Sequence, residues 1–337
     1  MSEDGDYRPD TRWSGHDFGQ AKATYDQNAG RGYGQARAAG LIATDAKLVP
    51  DSIETNASGG MCIDTDFTGS MQGSDKGFFV KAPYFLHEVQ NEYLGKGAEI
   101  SFGGFCDIND APQRYPLQIR PFAEGPKMNE ELDALLHCSG GSGPESLCEA
   151  HGLAMLYRIH NTHMPKLLNK PPYIIITDEM PGSRVTLEDA LAYAKVKLKK
   201  AIPIEEIVEQ LSERYSFYLV QKPYDSERME GDKLPEYTQQ IYNRWKGLIG
   251  AERIALLPDI NRAVDVIFGL LAQETGRVGY FRKEIEGRQS KAQVATVYKS
   301  LKTVHALPKP ATATIDSKKS GASSTKGLGG GKKTDEW

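Results

Sequence analysis

The sequence predicts an α/β protein with a doubly wound, mostly parallel sheet covered by helices on both faces. Strand-like and helix-like runs alternate through the middle of the chain, as βαβ units require. Residues 173–177 (YIIIT) form a β-branched run with turn residues after it, the clearest strand in the chain. The 337 residues are 39% hydrophobic and 26% charged, enough for one large domain or two small ones with a sizeable core.

Taken in order, residues 61–66 are an apolar-leaning run that stops at a turn signal. Residues 78–94 carry apolar side chains near helical spacing, with Pro83 expected to kink that helix or mark its start. Residues 98–105 (AEISFGGF) read as a strand, and 115–122, flanked by prolines, as a short edge strand. A helix is expected over 144–159 and a strand over 173–177. Amphipathic helices follow at 187–198 and 204–214, then a strand at 215–220 and a helix at 237–248. A short strand at 253–256, an apolar helix at 260–274 and one more helix within 281–301 complete the series.

The ends differ from this middle. Residues 1–57 are rich in Gly, Ala, Asp, Gln and Arg without a sustained period, and read as a partly disordered arm with a short helix within 19–39. Residues 308–337 are a Lys/Gly/Ser-rich tail with six lysines against three acids, expected to be disordered. The division is then an arm (1–57), the main domain (58–277), a C-terminal helical extension (278–307) and the tail (308–337).

A net charge of −4 gives no global case for nucleic acid or anionic membranes. No apolar run approaches the roughly 20 residues of a membrane span, and the N-terminus lacks the pattern of a secretory signal. The four cysteines have no C-x-x-C spacing and are expected to be free thiols in a reducing compartment, so a cytoplasmic protein is expected.

In parallel sheets, ligands bind in the crevice at the carboxyl ends of the strands. Three segments would meet there. The first strand runs into Asp66-Phe67-Thr68-Gly69-Ser70, the strand at 173–177 runs into Asp178, and Ser139-Gly140-Gly141-Ser142-Gly143-Pro144-Glu145 precedes a helix. Asp66, Thr68 and Ser70 offer a carboxylate and two hydroxyls to one point if the chain curls at Gly69; Asp178 adds a second carboxylate and Ser142 a further hydroxyl. A hard cation such as Mg²⁺ takes this all-oxygen chemistry. Ser142-x-x-Glu145 also reads as a helix capping box, and the two roles are compatible.

The D-F-T-G-S-M loop after an apolar run resembles the D-x-[ST]-x-S signature of von Willebrand factor A domains, in particular their intracellular bacterial-type members. G-G-S-G-P-E-S before the central helix, LVPDSIETNA, PLQIRPF and YNRWKGLIGAERIALLPDINRAVDVIFGLLAQETG extend the resemblance over roughly residues 48–305. It implies a Rossmann-like fold with a metal-ion-dependent adhesion site on Asp66, Thr68, Ser70, Ser142 and Asp178. The implied cofactor is Mg²⁺, with Mn²⁺ or Ca²⁺ as substitutes. The implied function is binding an acidic residue of a partner protein, as an adaptor to a MoxR-type AAA ATPase or its substrate.

Two features stand beside that reading. Asp107 and Asp110 follow another strand and are expected in a solvated loop. Asp64 shares a strand face with Asp66, and Asp64-Thr65-Asp66-Phe67-Thr68 also fits the nucleophile loop of haloacid-dehalogenase-type Mg²⁺ phosphatases. That alternative lacks a distinctive lysine and a later acidic pair after an apolar strand, so no enzymatic activity is expected. His137, His151, His160 and His163 lack zinc-site spacing and are expected to be ordinary helix or core residues.

Overall fold

The computed structural model describes residues 45–71, 76–108, 116–136 and 148–304, together with 23 and 38–40. Six strands form the central sheet: β1 (Gly60–Asp66), β2 (Glu99–Phe105), β3 (Leu117–Ile119), β4 (Pro172–Thr177), β5 (Ser216–Gln221) and β6 (Ile254–Leu256). Their spatial order is β6-β5-β4-β1-β2-β3. All neighbours are parallel except β3, which closes one edge antiparallel to β2. The architecture is thus mixed α/β with a mostly parallel sheet. The proline-flanked run near residue 118 is the edge strand, where a missing N–H costs least.

The helices are α1 (Lys76–Glu88), α2 (Pro126–Asp133), α3 (His151–Asn161), α4 (Leu187–Ala192), α5 (Ile204–Arg214), α6 (Glu236–Ile249), α7 (Ala263–Thr275), α8 (Val278–Arg288) and α9 (Lys291–Ser300). Alternate residues of each strand feed two separate apolar clusters. Met61, Ile63, Ile174 and Ile176 join residues of α1, α2, α7, α8 and α9 in one. Cys62, Tyr173, Ile175 and Leu219 join residues of α3, α4, α5 and α6 in the other. β1, β4 and β5 are buried along their whole length, which is why they read as apolar runs rather than as alternating ones.

Several elements depart from the sequence reading. Helix α1 continues through Pro83 and ends in a π-helical turn, Val89–Tyr93, so the proline neither starts nor ends it. Helix α3 begins at His151, after a two-residue strand, Cys148–Glu149, that pairs with Met180–Pro181. Helix α4 stops at Ala192, and the chain turns through Lys195 at positive φ. The expected single helix within 281–301 is two, because Ser290 and Gln293 form a capping box that starts α9.

The flanking segments contribute to the core. Leu48, Val49 and Ile53, inside the stretch read as an arm, are buried in the second cluster. Phe281, Ile285, Val297 and Leu301 from α8 and α9 are buried in the first. The short helix expected within 19–39 falls largely outside the described residues, and the 308–337 tail wholly outside them. Cys62 and Cys148 form no disulfide, but Cys106 is disulfide-bonded, its partner lying outside the described residues. The expectation of four free thiols is corrected accordingly. No helix among the described residues is long and apolar enough to cross a membrane.

Asp64 has a structural place. Arg158 of α3 donates from Nε to its Oδ2 at 3.1 Å and from Nη2 to its Oδ1, and the Tyr173 hydroxyl donates to Oδ2 at 2.7 Å. Both charged side chains are fully buried. A third Arg158 nitrogen, Nη1, donates to Ser101 Oγ at 2.8 Å. Gly103, opposite Asp64 in the sheet, makes room: a Cβ there would lie 2.3 Å from Asp64 Oδ1. The neighbouring Gly104 is held open by the Phe67 ring, which a Cβ would meet at 2.1 Å.

Candidate functional site

The chain leaves β1 on one side of the sheet for β2 and β3, then returns to β4 on the other side of β1. The β1–β4 boundary is therefore the point where the winding reverses, and the carboxyl ends flanking it form a crevice by topology alone. Asp66 ends β1 and Thr177 ends β4, with Asp178 the next residue.

Asp66 organises the β1 end. Its Oδ1 accepts from the Thr68 backbone N–H at 2.8 Å and from the Thr68 hydroxyl at 2.7 Å, curling the loop into an Asx-type turn. The turn brings Thr68 Oγ1 to 3.5 Å from Ser70 Oγ. Ser70 then donates to Asp178 Oδ1 at 3.0 Å, across 108 residues of sequence. Across the strand boundary, the Thr177 hydroxyl donates to Asp66 Oδ2 at 3.1 Å. Four of the five candidate ligands thus share one continuous polar cluster. The fifth, Ser142, lies outside the described residues, as does Asp110.

Asp66 and Asp178 are both fully buried. Burial, and then the nearby Asp178 charge, push the Asp66 carboxyl up to about 7, against hydrogen bonds from Thr68 and Thr177 that favour its ionised form. Two buried carboxylates side by side resist joint ionisation unless a cation joins them. One cation is already present: Lys222, just after β5, donates to Asp178 Oδ2 at 3.2 Å, and the Asp225 backbone N–H donates to the same oxygen at 3.0 Å. The donor set is therefore hard oxygen, two carboxylates and two hydroxyls, which suits Mg²⁺ rather than a thiolate- or imidazole-seeking metal. Among the described residues no three His, Cys, Asp or Glu side chains converge as a metal-binding group. A site with only two carboxylates would depend on its hydroxyls for the rest.

Residues that the sequence did not assign to the site support this cluster. His151, the first residue of α3, lies between the Phe105 and Trp245 rings, 4.5 and 5.2 Å away. Burial lowers its pKa to about 3, so the ring is neutral and carries one proton. Its Nε2 is 3.1 Å from Thr177 Oγ1 and its Nδ1 is 3.2 Å from the Glu149 carbonyl. The Glu149 carbonyl can only accept, so the ring proton sits on Nδ1; Nε2 then faces the Thr177 hydroxyl as an acceptor beside Asp66 Oδ2, while the Glu179 N–H donates to the Thr177 oxygen. Trp245 Nε1 donates to the Glu179 carbonyl at 2.9 Å, tying α6 to the same loop.

Asp107 departs from its expected place in a solvated loop: it is only 6% exposed. Glu149 is also 6% exposed, and its Oε2 has no hydrogen-bond partner among the described residues. Burial first, then the charges of Asp66, Glu179, Asp107 and Asp178, hold the Glu149 carboxyl well above the usual range. Glu179 is pushed up to about 8, by burial and then by Asp66, Asp178 and Asp107. Asp64, the nucleophile that the phosphatase alternative requires, has both oxygens held inside the core by Arg158 and Tyr173.

No family model and no curated protein matches this chain. Among solved structures, the pilus adhesin SpaC from Lactobacillus rhamnosus GG aligns with 66% of this chain and 32% of its own length, at 11% identity and a TM-score of 0.42. Its open conformation aligns with 74% of this chain and 31% of its own, at 12% identity and 0.40. Proximal thread matrix protein 1 from the mussel byssus aligns with 66% and 47%, at 9% identity and 0.38. This chain spans less than half the length of each. At such similarity, its function has to be argued from its own residues.

Proposed function

We propose that this chain is a doubly wound domain of the von Willebrand factor A type that docks a partner protein through a divalent cation. The observation that carries the reading is the Ser70–Asp178 hydrogen bond, which joins the β1 loop to the β4 loop at the winding reversal. Asp66, Thr68, Ser70 and Asp178 would hold the ion, with Ser142 as a further ligand from its own loop. Mg²⁺ is the expected ion, and Mn²⁺ or Ca²⁺ would substitute. When bound, it supplies a positive centre with a position left for an acidic side chain of the partner.

The chain's own residues do the rest. Thr177 fixes the orientation of Asp66, and Lys222 with the Asp225 N–H fixes that of Asp178. Burial of both carboxylates excludes competing water and makes charge compensation by a cation worth more than at the surface. Among the described residues, the Thr68 and Ser70 hydroxyls are both spent on the Asp66 and Asp178 carboxylates, which favours docking over turnover. A partner on the scale of an AAA-type ATPase of the MoxR kind, or its substrate, fits an adaptor of this sort.

The test is capture of partners from a lysate by the full chain, with and without EDTA, alongside Asp66→Ala. The reading expects a protein retained by the wild type in Mg²⁺ and lost both in EDTA and in the variant. Equal retention in all three conditions would refute metal-dependent docking.

A further inference from the structure

Between the segment after β2, the start of α3 and the segment after β4 lies a cleft of about 190 Å³. Three acidic residues, Asp107, Glu149 and Asp189, and the exposed Arg184 are among the residues that line it. Ile108, Leu153 and Val185 supply apolar wall. Glu149 is the decisive residue. Its carboxylate is nine-tenths buried, and its Oε2 meets no donor among the described residues. An unpartnered buried carboxylate oxygen costs free energy whether or not it is ionised, because a protonated oxygen there would also lack an acceptor. Its electrostatic surroundings are acidic: Asp66, Asp107, Asp178 and Glu179 all act on it.

From these features we infer that the cleft receives a basic side chain, arginine or lysine, of the docked partner, with Glu149 as its carboxylate acceptor. A long aliphatic stem matches walls made by Ile108, Leu153 and Val185, and a cationic head matches the acids. A second metal ion fits less well, because among the described residues no three ligating side chains converge. The recognition element on the partner would then pair an acid, for the metal, with a base, for the cleft. That the two groups belong to one partner rests on the docking reading above; the preference of the cleft for a basic group does not.

The test uses the full chain with ¹³C-labelled methyl groups and three probes: Nα-acetyl-arginine amide, Nα-acetyl-lysine amide and the neutral Nα-acetyl-norleucine amide. At least one basic probe is expected to shift the Ile108, Leu153 and Val185 methyls saturably, in Mg²⁺ and in EDTA alike, while the norleucine probe does not. Glu149→Gln is expected to weaken that binding roughly tenfold or more. Absence of a saturable shift, an equal response to norleucine, or an unchanged affinity in Glu149→Gln would overturn the inference. The contrast between basic and neutral probes in the wild type decides the matter even if the variant fails to fold. Basic-probe binding without Mg²⁺ binding would remove the docking reading and keep the cleft; Mg²⁺ binding without probe binding would remove the cleft alone.

Discussion

Replacing Asp64 by alanine would leave the Arg158 guanidinium inside the core with only Ser101 Oγ as a side-chain acceptor. Both partners are fully buried, so no solvent is available to take over. Breaking such a pair from one side costs about 3–5 kcal/mol. Tyr173 loses its acceptor as well, which adds about 1 kcal/mol. The expected loss is therefore about 4–6 kcal/mol, a large share of the roughly 5–15 kcal/mol that separates a folded domain from its unfolded chain. Urea unfolding followed by circular dichroism reads it directly, as a lower midpoint at unchanged slope. The paired change Asp64→Leu with Arg158→Met removes both charges and is expected to recover most of the loss. A cost below about 1 kcal/mol for Asp64→Ala, or a double variant no more stable than the single one, would refute the assignment of Asp64 to the core rather than to chemistry.

Other outcomes follow from the polar cluster. Thr177→Val removes the hydroxyl between His151, Glu179 and Asp66; Mg²⁺ affinity measured by titration should fall roughly tenfold or more. The Asp66 carboxyl, raised to about 7 from an ordinary value of 3.8, takes up a proton in the folded metal-free chain where the unfolded chain does not. Its contribution to stability is thus fully present below about pH 4 and is lost as pH rises through about 7. In EDTA, this group should make the chain less stable at pH 7.5 than at pH 5.5, and Asp66→Asn should flatten that slope. Added Mg²⁺ acts in the opposite direction, because it binds only the ionised form: its apparent affinity should fall about tenfold per unit as pH drops below 7. A slope unaffected by Asp66→Asn, or an affinity insensitive to pH, would contradict these assignments.

Much of this was legible in the sequence. The apolar runs that became β1, β2, β4 and β5 are buried on both faces, and such strands declare themselves by composition. Asp66, Thr68, Ser70 and Asp178 were visible because each ends or follows a strand, and a parallel sheet puts strand ends on one edge. The misses have physical causes. Pro83 was tolerated because α1 is held by tertiary packing, including Phe78, Phe85 and Leu86 in the core. The break at Ser290 carried its own signal, Ser290-x-x-Gln293, but apolar spacing on both sides of it hid the boundary. Glu149 and His151 were absorbed into one helical run, although the chain makes a two-residue strand, Cys148–Glu149, before α3 begins. Lys222 meets Asp178 across 44 residues, and no local spacing marks a contact that only the pairing of β4 with β5 creates.

The central claim is that Asp66, Thr68, Ser70 and Asp178 hold one divalent cation. Isothermal calorimetry of the metal-free full chain with Mg²⁺ near pH 8, where Asp66 is ionised, tests it most directly. The account predicts a single-site isotherm in the wild type that disappears in Asp66→Ala while the variant remains folded by circular dichroism. No binding heat in the wild type with either Mg²⁺ or Mn²⁺, or the same isotherm in wild type and variant, would contradict it.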